Sequence, residues 1–193
     1  MNRDYFSRSI NIPRIFLEIS LNQDIINKII SKDYASITNK IEEFIETQIQ
    51  KNNAKGIILG LSGGIDSAVI AYICSRKFKE KTLALIMPDT SITPNTETED
   101  AMKIISLTGI SHKLIDIKPI VNEYSMYLVP NEKSKGNLRA RIRTNMLYYY
   151  ANIENYLVLG SSDKSEYLIG YFTKFGDGAS DRSEEHTSEL QSR

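Results

Sequence analysis

The sequence is poor in the residues that carry several common kinds of chemistry. It has one cysteine and two histidines in 193 residues, which excludes an internal disulfide and argues against a Ser-His-Asp triad or a histidine metal site. Basic and acidic side chains number 24 each, so we expect neither nucleic acid nor an anionic membrane as a partner. No apolar run approaches the roughly 20 residues of a membrane span, and residues 1–10 lack a signal-peptide core. We therefore expect a cytoplasmic protein.

Apolar runs of strand length alternate with helical patterns from residue 39 onward. Asn39 with Glu42, and Thr96 with Glu99, have the spacing of capping boxes at helix starts, and Gly109 has the character of a helix stop. The predicted strands are 56–61, 82–87, 113–117 and 156–159. The first predicted helix begins at 39, and the other four span about 65–78, 96–108, 119–127 and 138–152. A polar loop is predicted at 131–136. This alternation predicts an α/β fold, a doubly wound parallel sheet with helices on both faces.

The most informative stretch is GIILGLSGGIDS, at residues 56–67. An apolar strand enters a glycine turn that opens a helix, where backbone amides and the positive end of the helix dipole attract an anion, which we expect to be a phosphate. Asp66 stands where a Walker A loop would have its lysine, so a phosphate at this position requires a cation beside the carboxylate. A plain strand-turn-helix corner is the alternative interpretation.

Two further motifs accompany this loop. NLRAR occupies 137–141, and LGSSDKSEYLIGYFTKFGDG occupies 159–178. Together with SGGIDS at 62–67, in this order and spacing, they resemble the NAD synthetase family of the N-type ATP pyrophosphatases, over about residues 34–181. The resemblance implies a Rossmann-like fold of the adenine nucleotide α-hydrolase type. It also implies a ligase that uses ATP to adenylate the nicotinate carboxylate of deamido-NAD, after which ammonia displaces AMP to give NAD.

The resemblance implies roles for individual residues. Asp66 and Glu166 match the family's catalytic Mg²⁺ ligands. The residues implied to contact ATP are Gly60, Leu61, Ser62, Gly63, Gly64, Ile65, Asp66, Ser67 and Ser161, the last in place of a family threonine. Those implied to contact deamido-NAD are Arg141, Lys174, Asp177 and Asp181.

Several of these assignments have a second interpretation. The three arginines of the second motif region could form a solvated helix face, although Arg139 and Arg143 share a side of the helix that Arg141 does not. Glu166 could satisfy a helix dipole. Cys74 is interpreted as a core residue and not a nucleophile. Two rival functions also stay open: another adenylating amidotransferase of the superfamily, such as a GMP synthetase-like enzyme, and a nucleotide-binding module without catalysis.

The ends of the chain fall outside the resemblance. We expect 1–33 to be an extension of unknown role, 34–181 to be the synthetase domain, and 182–193 to be a non-native tail that resembles a translated sequencing adapter. A disordered native tail is the alternative. On the adapter interpretation the fold is incomplete at the C-terminus, and the sheet stops at the fourth strand with an open edge. We also expect a homodimer at full length, supplied with free ammonia or with ammonia from a separate protein.

Overall fold

The computed structural model describes residues 31–160, 172–177, 179 and 181–183. By its internal contacts the chain divides into two compact units, Met1–Ser36 and Ile37–Arg193. Helices and strands alternate through the described residues. They are α1 (Tyr34–Lys51), β1 (Gly56–Gly60), α2 (Ile65–Phe78), β2 (Thr82–Ile86), α3 (Asn95–Thr108), β3 (Ser111–Leu114), α4 (Lys118–Ser125), α5 (Glu132–Glu154), β4 (Tyr156–Gly160) and β5 (Arg182–Ser183).

The central strands are apolar on both sides because helices cover both faces of the sheet. β1 reads GIILG and β2 reads TLALI, with every side chain of β2 buried. In β1, Ile57 belongs to the core on one face and Ile58 to the core on the other, as the alternation of strand side chains requires. The bounds of β1, β2 and β4 agree with the predicted bounds to within one residue.

The strand order is β3-β2-β1-β4-β5, and all of the pairings are parallel. Helices α1 to α3 pack on one face, and α4 and α5 pack on the other. This confirms the predicted doubly wound sheet. The chain runs outward from β1 through β2 to β3 and then returns to place β4 on the other side of β1. The order reverses at that point, and ligands of such folds bind beyond the carboxyl ends of the strands at the reversal.

The two predicted capping boxes are wrong. α1 begins at Tyr34, so the Asn39 and Glu42 pair lies inside the helix; the main-chain N–H of Ser36 instead donates to Asp33 Oδ1 at 3.0 Å. α3 begins one residue before Thr96, and its N-cap, Pro94, makes no side-chain hydrogen bond. The capping-box spacing recurs by chance in polar helix turns, which explains both errors. The predicted stop at Gly109 is confirmed, with φ of +66°.

The polar loop predicted at 131–136 is in fact helical. α5 begins at Glu132 because Asn131 caps it, accepting a hydrogen bond from the main-chain N–H of Ser134 at 2.9 Å. Its first turn is exposed to solvent, so its polar composition gave no helical period. The third strand also differs from the prediction, which placed it at 113–117. β3 pairs with β2 from Ser111 to Leu114, and all four of its side chains are exposed.

The fourth strand is not the last one. The main-chain N–H of Asp181 donates to Val158 O at 3.0 Å, and β5 then pairs with β4 at the Leu159–Arg182 position. The expectation that the sheet stops at the fourth strand is therefore wrong, and β5 consists of the first two residues of the predicted tail. The division into extension, synthetase domain and non-native tail stays a prediction. Among the described residues, no helix combines the length and the apolar character that a membrane crossing requires.

Candidate active site

The glycine loop after β1 folds closely against the start of α3. Gly63 has φ of +89°, in the left-handed region that favours glycine. A Cβ atom at Gly63 would overlap the main-chain oxygen of Glu97. The loop can therefore approach α3 only because residue 63 has no side chain.

Two serine hydroxyls brace this loop. Ser67 Oγ donates to Gly64 O at 3.0 Å, and the main-chain N–H of Ser62 donates to Ser67 Oγ at 3.3 Å. The N–H of Gly64 donates to Ser62 Oγ at 3.2 Å. Gly64 is the N-cap of α2 and makes no side-chain capping bond, so the amides of the first turn point outward at the positive end of the helix dipole. This geometry suits an anion; the ATP contacts assigned to the loop stay a prediction.

Asp66 supplies a carboxylate at the same helix start. It lies in the first turn of α2 and is exposed. Mg²⁺ accepts a few hard oxygen ligands and keeps several waters, and an exposed carboxylate at this helix start fits that requirement. Within residues 31–160, 172–177, 179 and 181–183, no cluster of three or more His, Cys, Asp or Glu side chains forms a protein-only metal site. The second predicted ligand, Glu166, and the predicted ATP contact Ser161 lie outside the described residues.

A cavity of about 360 Å³ opens beside the loop, at the carboxyl ends of β1, β2 and β4. Its walls include the apolar side chains of Leu61 and Val158, and Ser62 connects it with the glycine loop. Helix α5 closes one side with Arg143 and Leu147. Cavities that hold small molecules begin at about 300 Å³ and are mostly apolar with a few placed polar groups. The cavity lies where the strand order reverses, as the fold predicts for a ligand.

A buried ion pair joins the loop after β2 to α5. Arg139 Nε donates to Asp89 Oδ2 at 2.7 Å, and the two residues are 6% and 0% exposed. The other carboxylate oxygen accepts hydrogen bonds from the main-chain N–H and the hydroxyl of Ser91. Burial alone would raise the pKa of Asp89, but the bonds from Ser91 and Arg139 outweigh it and hold the pKa below its ordinary value. Arg139 and Arg143 do share a helix face, and that face is turned inward.

Arg141 is exposed on the other side of α5. It lies against the end of the third motif, which we call the GDG segment after its residues 176–178. Its Nε donates to Lys174 O at 3.2 Å. One turn away, Asn137 Oδ1 accepts from the Thr173 hydroxyl at 3.1 Å, and the main-chain N–H of Thr173 donates to Asp177 Oδ1 at 2.8 Å. Three of the four positions predicted to contact deamido-NAD are thereby brought to one place, and Asp177 also lines the cavity.

Asp181, the fourth of these positions, is bound to the sheet. Its Oδ2 accepts from the main-chain N–H of Val158 at 2.9 Å, and its Oδ1 accepts from the Tyr148 hydroxyl at 3.3 Å. Burial, followed by the charge of Asp181, raises the pKa of Tyr148 to about 12. Asp181 therefore fixes the end of the GDG segment against β4, and its contact with deamido-NAD stays a prediction.

Residues 37–184 match the family model described as NAD synthase. The chain belongs to the NAD synthase family. An NH(3)-dependent NAD(+) synthetase from Hyperthermus butylicus is 48% identical over 159 residues, which are 81% of this chain and 58% of that relative. One from Thermococcus sibiricus is 48% identical over 154 residues, 78% of this chain and 59% of the relative. The chain thus spans less than two thirds of the length of these relatives.

Solved structures of the NAD synthase fold are also similar. An NH3-dependent NAD synthetase from Campylobacter jejuni, in complex with nitrate, has a TM-score of 0.76 at 38% identity and covers 79% of this chain and 67% of that one. An NMN synthetase from Francisella tularensis has a TM-score of 0.74 at 34% identity, with coverages of 79% and 64%.

In this member of the NAD synthase family, the sequence interpretation missed the inward side of α5. Asp89 pairs with a residue 50 positions away, and Arg143 Nε donates to Met87 O at 2.9 Å. The i, i+4 spacing of Arg139 and Arg143 shows that they share a helix face, but not whether that face is buried.

Cys74 is buried as predicted; burial, and secondarily Glu42, raises its thiol pKa to about 12, so it carries almost no thiolate at neutral pH.

Proposed function

We propose that the chain carries the ATP-cleaving site of an ammonia-dependent NAD synthetase. The observation that carries the proposal is a braced glycine loop whose Ser62 lines a mostly apolar cavity and which opens a helix with an exposed Asp66 in its first turn. Membership of the NAD synthase family supports the same conclusion.

The reaction has two displacements. An oxygen of the nicotinate carboxylate of deamido-NAD attacks the α-phosphorus of ATP, and pyrophosphate leaves. Ammonia then attacks the adenylated carbonyl carbon, AMP leaves with the oxygen, and a proton is lost to give the amide of NAD. Activation by ATP is needed because a free carboxylate oxygen is a poor leaving group.

The loop residues act on the departing pyrophosphate. The amides of Gly63 and of the first turn of α2 donate to its oxygens, while Ser62 and Ser67 brace the loop, with the Gly64 N–H bonded to Ser62 Oγ. Asp66 and Glu166 hold Mg²⁺, which when bound neutralises charge on the β- and γ-phosphates. Because these donors are fixed before ATP arrives, little reorganisation is required in the transition state.

The deamido-NAD substrate binds on the Arg141 side of the site. Arg141 and Lys174 offer positive charge, and their mutual hydrogen bond brings the two chain segments together. Asp177 lies on this side and lines the cavity, and Asp181, held against β4, is the fourth contact that we propose for this substrate. Ammonia enters free or from a separate protein. At full length the enzyme is a cytoplasmic homodimer, which sedimentation velocity and cell fractionation will test.

The likeness to an NMN synthetase gives the acid substrate a second candidate, nicotinate mononucleotide, which shares the nicotinate carboxylate but lacks the adenylate half of deamido-NAD. A substrate screen separates the two. The protein for this screen is a chimera in which this chain replaces the matched part of the Hyperthermus butylicus relative, because the chain spans 58% of that relative.

Pyrophosphate release is measured with ATP, Mg²⁺, ammonia and one acid at a time. We expect release with deamido-NAD and little with nicotinate mononucleotide, xanthosine monophosphate or aspartate. Preference for nicotinate mononucleotide would overturn the substrate, and preference for xanthosine monophosphate would favour a GMP synthetase-like enzyme. ATP binding without release in the presence of any acid would indicate a nucleotide-binding module.

A further inference from the structure

Asn137 opens the NLRAR motif, yet no substrate contact was expected of it. Its side chain is half-buried and lies one turn before Arg141 on α5. Its Oδ1 accepts a hydrogen bond from the Thr173 hydroxyl at 3.1 Å, and the two residues are 36 positions apart in the chain. Asn137 therefore joins α5 to a distant stretch of chain by a side-chain contact that sequence spacing alone does not reveal.

The stretch that it reaches, residues 173–176, forms a tight turn against α5. The main-chain N–H of Gly176 donates to Thr173 O at 2.8 Å and closes the turn. Gly176 is buried, and a Cβ atom at this position would lie 3.1 Å from the Cβ of Ala140 and 2.9 Å from the side chain of Thr173. The turn can approach the helix this closely because residue 176 has no side chain.

Phe175, inside this turn, has a backbone conformation that needs outside support. Its φ is +61°, in the left-handed region that bulky residues rarely adopt, and it is 72% exposed, so its own packing does little to hold it. Such a conformation persists only where the surrounding contacts impose it. Asn137 supplies one of these contacts. Arg141 supplies another, because its Nε donates to Lys174 O at 3.2 Å.

The turn carries Lys174, one of the positions proposed to contact deamido-NAD. Its side chain is exposed, and its Nζ lies 5.0 Å from the centre of the Phe175 ring. A lysine ammonium sits at the end of a flexible four-carbon stem, so its location depends on where the main chain holds the base of that stem. A contact that fixes the turn therefore reduces the ordering that remains to be done when the substrate binds.

We infer that Asn137 is a positioning residue: through Thr173 it holds the turn, and thereby Lys174, in place for an anionic group of deamido-NAD. The inference rests on the proposed function. Arg141 cannot report this role by itself, because it is a proposed substrate contact as well as a contact of the turn. Asn137 separates the two roles, since it acts on the turn and not on the substrate.

Steady-state pyrophosphate release by the chimera tests this role. With Asn137→Ala we expect the KM for deamido-NAD to rise by about 5- to 30-fold, the scale of losing one hydrogen bond and part of the contact that it orders. The KM for ATP and kcat should stay within about two-fold of the parent values, because the glycine loop and Asp66 lie on other elements.

The other end of the same hydrogen bond gives a second pair of variants. Thr173→Val removes the hydroxyl and should give the same pattern as Asn137→Ala. Thr173→Ser keeps the hydroxyl and should resemble the parent. Asn152→Ala is the matched control, since it removes an exposed amide from the same helix, and it should leave both KM values unchanged.

A double variant separates positioning from simple support of the fold. In a Lys174→Gln background, Asn137→Ala should raise the KM for deamido-NAD by no more than about two-fold further, because the ammonium that it positions is absent. Urea unfolding gives the folded fraction of each variant, so that KM and kcat refer to folded enzyme.

Three results would each overturn the inference. They are a parent-like KM for deamido-NAD in both Asn137→Ala and Thr173→Val, an equal rise in the KM for ATP, and an undiminished effect of Asn137→Ala in the Lys174→Gln background. A parent chimera that releases no pyrophosphate with deamido-NAD overturns the proposed function, and this inference with it. The parent thus decides the function, and the variants decide the role of Asn137.

Discussion

Asp66 and Asp89 are two carboxylates at the same edge of the sheet, and their surroundings give them opposite roles. Asp66 is exposed at the start of α2, where a carboxylate can share a cation with an anion on the loop. Asp89 is fully buried and is bonded to Arg139 and Ser91. An acid with its oxygens already occupied is a structural group, so Asp66 is the acid of the pair that is available for a metal.

Replacement of Asp66 tests the metal assignment. In the chimera, Asp66→Asn should lower the turnover number by about 100-fold or more, the scale of losing one transition-state stabiliser, because charge on the departing pyrophosphate is no longer neutralised. Glu166→Gln should behave alike. Asp100→Asn, which removes an exposed acid paired with Lys103, is the control and should be near normal. Near-normal turnover in Asp66→Asn would remove Mg²⁺ from the site as proposed.

At the scale of elements, β1, α2, β2 and β4 follow from the sequence because their signals are local. Runs such as TLALI are apolar on both faces, and a glycine pair lies in the loop that follows β1. The start of α5 differs from the prediction because its first turn is polar and mostly exposed, so no period marks it. The start of α1 differs because the capping-box spacing at Asn39 lies inside a helix that begins at Tyr34. The Asp89–Arg139 pair was beyond prediction for another reason: its partners are 50 residues apart, and only the packing of α5 on the sheet brings them together.

The junction between the glycine loop and α3 should not tolerate a side chain. Gly63→Ala places a Cβ at φ of +89° and against the main-chain oxygen of Glu97. We expect the loop to move, with a loss of about 1–3 kcal/mol in the free energy of unfolding and at least about a ten-fold loss of pyrophosphate affinity. Calorimetry and urea unfolding measure the two quantities.

Gly136→Ala is its counterpart in α5. Nothing lies within 4 Å of a Cβ at Gly136, so this change should stabilise the protein by about 0.5–1 kcal/mol and leave pyrophosphate binding unaltered. A Gly63→Ala variant that behaves like Gly136→Ala would mean that the loop does not need its observed shape.

The ion pair between the β2 loop and α5 should be the most sensitive polar contact in this part of the fold. Asp89→Asn or Arg139→Gln leaves the other charge buried, and we expect a loss of about 3–5 kcal/mol in the free energy of unfolding. If Arg139 were a solvated residue, its replacement could serve as a control for replacement of Arg141. It cannot serve in that way, because replacing Arg139 should destabilise the fold. Asp100→Asn breaks an exposed pair with Lys103 and should cost less than about 1 kcal/mol.

The pH dependence of this contribution has a definite sign. Because the pKa of Asp89 is lowered from its ordinary 3.8 in the folded protein, the stabilisation is fully present above that ordinary value and is lost as the pH falls through the lower, folded value. The stability difference between the parent and Asp89→Asn should thus be constant near neutral pH and shrink in acid. A difference that persists unchanged to the lowest pH at which the protein folds would contradict the charge-based account.

At the scale of the whole molecule, the strand order explains why one site can draw on separate stretches of chain. β1 supplies the glycine loop, β2 leads into the Asp89 loop, and the segment around 172–181 returns to β4. The alternation of strands and helices was enough to predict a doubly wound sheet. It was not enough to predict β5, because a two-residue strand has no pattern of its own and is defined only by pairing with β4.

Since the site joins both faces of the sheet, ligand binding should stabilise the fold as a unit. With Mg²⁺ and ATP at about 100 times its dissociation constant, linkage predicts a gain of about 2.7 kcal/mol, which for a domain of this size is a rise of about 5–10 °C in Tm. Scanning calorimetry of the chimera, with and without nucleotide, measures it. Asp66→Asn should lose the part of the shift that depends on Mg²⁺, and Gly63→Ala should lose most of it. An unchanged Tm at saturating MgATP would show that these residues do not form a nucleotide site, whatever family the chain belongs to.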